Sequence, residues 1–171
     1  MRVRFAAALA AAALLAGCGG EDEPRVESKA DFIAAGDKIC LERDTRSAKL
    51  ETAVGDDRDV GRLTGELAAI YADSIARLQA LELPRGAARS GADRFIRSVA
   101  AMRLPVQRMK AASDDLAAAA VTQRADKVRT IAKQLQINVN AVFSIGELAD
   151  QNARAYGFKN CGQQQGGPPV S

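Results

Sequence analysis

Histidine and tryptophan are absent from this 171-residue chain, and its aromatic side chains amount to two Tyr and five Phe. Lack of histidine removes the usual general base, the Ser-His-Asp and Cys-His arrangements, and the carboxylate–histidine di-iron site of ferritin-like bundles. Cysteine is sparse: Cys18, Cys40 and Cys161 are the whole set. They lie too far apart in sequence for a C-x-x-C redox pair. Neither a P-loop nor a dinucleotide-binding glycine fingerprint is present. Few aromatics, abundant alanine and no hairpin turn between alternating runs leave β-strands without support.

What is there begins with MRVRFAAALAAAALLAGC. Arg2 and Arg4 form a positive n-region, and the uncharged run from Phe5 to Ala13, extended by Leu14 and Leu15, is too short to span a bilayer. That order reads as a secretory signal peptide. Leu15-Ala16-Gly17-Cys18 resembles the lipobox of bacterial lipoproteins. The resemblance implies cleavage after residue 17, diacylation of Cys18, and Cys18 as the first mature residue. Two acyl chains suit stable anchoring where one chain holds only marginally. The plainer alternative is an ordinary signal peptide with a chance cysteine.

Export reshapes two other readings. Removing Arg2 and Arg4 from 24 basic and 21 acidic residues leaves 22 against 21, so net charge makes no case for nucleic acid. If Cys18 carries lipid, Cys40 and Cys161 remain as an even pair in an oxidising compartment, where a disulfide is expected. Two unrelated buried thiols are the alternative. The bond would close a loop of more than a hundred residues, for which chain entropy suggests roughly 4 to 5 kcal/mol.

Residues 18–28 read as a polar, lipid-anchored tether, and the run Glu21-Asp22-Glu23 within it as solvated linker. Residues 29–161 carry apolar side chains at helical spacing, among them Phe32, Ile39, Val60, Leu78, Phe95, Val106, Ala120 and Val142, and form the expected bundle domain. Arg43 and Ser47 weaken the middle of the first face. Helix one opens at an N-cap, Ser28, with Asp31 complementing the dipole. Gly55-Asp56-Asp57 ends it and caps the second, which stops near Pro84. The third contains Pro105 and is expected to kink there, with a break at Ser113-Asp114-Asp115 as the alternative. The fourth is expected to end at Tyr156-Gly157-Phe158 in a Schellman-type stop. The fold class is therefore all-α, an antiparallel up-down four-helix bundle with a kinked third helix. In that topology the end of helix four lies beside the start of helix one, where Cys161 can reach Cys40. Residues 162–171 have nothing to bury and form an expected disordered tail.

Other motifs fail or have bland explanations. Asp56-Asp57-Arg58-Asp59 invites a calcium-loop reading, but counting from Asp57 puts Arg62 where glycine is required and Ala68 where glutamate is required. Met102 and Met109, at heptad spacing on an apolar face, read as core rather than soft-metal ligands. Arg77, Arg85, Arg89, Arg94, Arg97, Arg103 and Arg108 read as a solvated face with interleaved acids such as Glu82 and Asp93, with contact to anionic lipid or cell-wall polymer as the alternative. Tyr71 and Tyr156 read as core or capping residues.

The lipobox together with DFIAAGDKIC, LELP and ARAYGFKNCG resembles a loose group of small secreted lipoproteins of actinobacterial-type bacteria. The resemblance implies a helical bundle closed by a Cys40–Cys161 bond and adds nothing on catalysis; the reading of the residues themselves assigns no catalytic, cofactor-binding or metal site. The expected protein is a non-enzymatic binding or interaction module, lipid-anchored on the extracytoplasmic face of the cell membrane. Its partner would be an envelope protein, a cell-wall polymer or a small apolar ligand. The alternative is a histidine-free enzyme using a carboxylate pair, such as a glycan-cleaving hydrolase.

Overall fold

The computed structural model describes residues 28–51, 60–122 and 125–163. The signal segment, Cys18, the rest of the tether up to residue 27, the Gly55-Asp56-Asp57 cap and residues 164–171 lie outside them. Helix makes up 88% of the structure and no strand occurs among the described residues, which places the chain in the all-α class. Helix α1 spans Lys29–Glu51, α2 Val60–Ala80, α3 Arg89–Ala101, α4 Arg103–Val121 and α5 Ala125–Tyr156. A 3-10 turn at Gly86–Ala88 leads into α3. The α3 and α4 segments are two limbs of one bent rod, so the helices form an antiparallel four-helix bundle.

The N-terminus of α1 carries a reciprocal cap. Ser28 Oγ accepts from the Asp31 backbone N–H at 3.2 Å, while Asp31 Oδ2 accepts from the Ser28 N–H at 3.0 Å. Two otherwise orphaned donors are thereby satisfied. Helix α2 ends at Ala80, four residues before Pro84, because the chain must leave helical geometry ahead of the ring.

The kink is explained by Pro105. Having no N–H, it cannot bond the carbonyl of Ala101, and its ring crowds that turn. Met102 instead donates to Val99 O at 3.1 Å, and Val106 resumes the ladder on Met102 O at 3.0 Å. The rod bends by 24°. The alternative break at Ser113 is excluded: Ser113 is fully buried inside α4, its hydroxyl donating to Met109 O at 2.8 Å.

Most of the apolar face holds, including Phe32, Ile39, Leu78, Phe95, Val106 and Val142. Val60 and Ala120 do not: both are exposed, and Ala112, Ser113 and Ala119 take the buried places on α4. Helix α2 packs between α1 and α4, and α5 packs on α3 and α4. Close approach of α2 to α4 needs Gly61, where an added Cβ would lie 3.1 Å from Ala117 N and from Ser113 O. Both neighbours are backbone and cannot swing aside. We expect Gly61→Val to force the helices apart and cost about 1 to 3 kcal/mol in urea unfolding, with little change in helical circular dichroism.

Candidate functional site

The densest group of interactions lies where α5 ends. Gly157 adopts φ +111°, a conformation open to glycine and strained for other residues. Phe158 N–H bonds Ala153 O at 3.0 Å and Gly157 N–H bonds Arg154 O at 3.1 Å, the paired bonds of a Schellman motif. The chain then reverses onto α1. The Phe158 ring is buried against Phe32 and Phe95, with centroids 5.7 and 4.5 Å away. Gly36 leaves room for it, since a Cβ there would lie 2.5 Å from Phe158 Cε1.

Asp37 holds the reversed segment. Its buried carboxylate accepts from three successive backbone amides: Lys159 (2.9 Å), Asn160 (2.7 Å) and Cys161 (3.1 Å). Successive N–H groups converging on one anion form a nest, and bonds to a charged acceptor are stronger than neutral ones. The nest sets Cys161 against Cys40, and their sulfurs are joined at 2.08 Å with Cα atoms 5.1 Å apart. Both cysteines are buried. The loop closed between them has a sequence separation of 121, so chain entropy favours the folded state by roughly 4 to 5 kcal/mol.

A charged cluster sits one turn further along α1. Arg43 pairs with buried Asp44 at 2.8 Å and lies over the Tyr71 ring, 5.5 Å from its centroid. Asp150 of α5 is half-buried, and burial pushes its carboxyl up to about 6. Arg43 and Arg154 oppose that rise, while the charges of Asp44 and Glu147 add to it. Arg154 also donates to the carbonyl of Gly162, which is buried. At the far side of the clasp Tyr156 is buried with its hydroxyl unpartnered, and burial raises its pKa as well.

The residues singled out from sequence fall as follows. Cys40 and Cys161 are brought together, and Cys18 lies outside the described residues. Met102 and Met109 are buried in the core. Among the arginines, Arg77 pairs with Glu42 at 2.7 Å and Arg97 pairs with Asp93. Asp37, Asp44 and Asp150 went unnoticed in the sequence. The available signal for Asp37 was an acid on the apolar side of α1, one turn before Cys40 and next to Gly36. No cluster of acids or cysteines able to hold a metal occurs among the described residues. Comparison of the chain with protein-family models, curated proteins and solved structures gave no match.

Two outcomes follow from this geometry. Asp37→Asn offers one acceptor oxygen and turns an amide NH2 toward backbone donors. It should cost about 2 to 4 kcal/mol in chemical unfolding with the disulfide intact. Asp150 binds its proton more tightly folded (about 6) than unfolded (3.8), so its favourable contribution is present below pH 3.8 and lost as pH rises through 6. Asp150→Asn should therefore stabilise the protein at pH 8, by about 1 kcal/mol after discounting for solvent screening of a half-exposed group. The advantage over the parent should vanish near pH 4 in paired thermal melts.

Proposed function

We propose that the protein is a lipid-anchored helical-bundle module on the extracytoplasmic face of the cell membrane, acting by binding rather than catalysis. One observation carries the reading. Cys40 and Cys161 engage each other in a buried bond, which suits an oxidising compartment. That leaves Cys18 as the single unassigned cysteine, directly after Leu15-Ala16-Gly17. The tether would enter the bundle at the Ser28–Asp31 cap, so the domain stands next to the headgroups. Its partner on this reading is an envelope protein, a cell-wall polymer or a small apolar ligand. No described helix is long and apolar enough to cross a membrane, so attachment would rest on the acylated cysteine.

Intact mass of the protein from a lipoprotein-processing host should show cleavage before Cys18 and two acyl chains on it. Cys18→Ala should leave the membrane fraction without loss of the Cys40–Cys161 bond. Mature protein with an unmodified Cys18 thiol would overturn the proposal.

A second reading, a histidine-free carboxylate enzyme, has one observation in its favour. Asp44 is ion-paired with Arg43 at 2.8 Å, and burial raises the carboxyl of neighbouring Asp150; a carboxyl raised in this way beside a second one can serve as a general acid. Release of reducing ends from cell-wall glycan that disappears in both Asp44→Asn and Asp150→Asn would establish it.

A further inference from the structure

Three large apolar side chains stand in solvent on one side of the bundle: Leu104 of α4, and Ile137 and Leu148 of α5, each more than half exposed. Ile137 and Leu148 are eleven residues apart, so they fall within about 20° of each other around the helix. Between them on that line α5 carries Ala141 and Ser144, and no charge. Leu104 borders the same strip, because Arg108, one turn on, presents its carbonyl to Asn138 Nδ2 at 3.4 Å.

The margin of this strip is basic. Lys133 precedes Ile137 by one turn, Arg108 follows Leu104 by one turn, and Arg94 lies three residues after Gly91, which abuts the Tyr156 ring. All three are exposed, and none has an ion-pair partner among the described residues. The acids on the same side are Asp115, seven residues after Arg108 on α4, and Asp126, seven residues before Lys133 on α5. Elsewhere some surface cations are matched, as in Arg77 with Glu42, Arg62 with Glu66 and Lys110 with Asp114, while others such as Arg89 and Arg129 are exposed without an ion pair among the described residues; the adjoining apolar line sets this margin apart. An uncovered apolar line edged by unmatched cations is complementary to one kind of surface, an anionic bilayer. Apolar side chains enter the acyl boundary while Lys and Arg meet phosphates.

We propose that the α4–α5 face is a membrane-docking face, and that the bundle lies along the phospholipid surface to which its tether attaches it. The inference rests on the anchored reading above. Helix α5, about 48 Å long, is then parallel to the membrane, and α1 and α2 face outward as the surface left for partners.

The chain has no tryptophan, so one introduced indole is a unique probe. Full acylated chains carrying Ile137→Trp, Leu148→Trp or, on exposed α2, Ala69→Trp are reconstituted in phosphatidylglycerol-rich vesicles with brominated acyl chains. Blue-shifted emission and bromine quenching are expected for the first two and not for Ala69→Trp. Charge reversal by R94E, R108E and K133E should lower the docked population by about fivefold per site, without altering the melting temperature. Co-flotation of the chain with an unquenched Leu148→Trp overturns the docking face while the anchor stands; failure to co-float removes the anchor itself. Equal quenching in phosphatidylcholine vesicles overturns the electrostatic basis. A blue shift that grows with protein concentration in the absence of vesicles overturns the proposal in favour of a second copy on this face.

Discussion

Three consecutive amides converging on the Asp37 carboxylate hold the two ends of the domain together. Helix α1 leans on α2 along its length but makes little backbone contact with α5. Without the clasp, the first and last rods of the bundle would share only an edge. The nest turns that edge into a junction by bringing the tail onto α1, where Phe158 fills the space that Gly36 leaves and the two sulfurs meet. Hydrogen bonds to a carboxylate, aromatic packing and a covalent bond thus act on one short segment. They support each other because all require the same path of residues 157–161.

Away from the clasp, stability has the ordinary sources of an all-α domain. Buried Ile, Val, Leu and Met side chains from every helix form one continuous core, and burial of such side chains is the main favourable term in folding. The bend at Pro105 belongs to this packing, for it brings Met102 under Gly146, where an added Cβ would lie 3.4 Å from Met102 Cε, while α4 stays against α2. Asp150 is held between two arginines and two acids at the seam where α1 and α5 stand apart, and its raised pKa records an ionised form that solvent only partly reaches.

Much of the fold was legible because each helix follows a single periodicity. Stops at Pro84 and Gly157, the Ser28 cap and the kink at Pro105 are local events decided by residues within one turn. The pairing of Cys40 with Cys161 was legible by elimination once Cys18 was set aside. Asp37 was not, because its partners are backbone amides more than a hundred residues away, and amides have no signature in sequence. Arg43 and Ser47 were read as weakening the face of α1 for a similar reason. A cation looks misplaced there until Asp44 and the Tyr71 ring are known to receive it. Val60 and Ala120 failed because periodicity predicts direction, and whether a direction is covered depends on the neighbouring rod.

The disulfide makes most of the domain a covalent ring. A protease cutting once in any connection between Cys40 and Cys161 leaves both fragments attached to each other, and the core still packed. Among the described residues, Ser28 and the first three turns of α1, before Cys40, lie outside the ring on its N-terminal side. On the anchored reading proposed above, release of the ring would require a cut ahead of Cys40, and single nicks within the ring would leave the molecule in place.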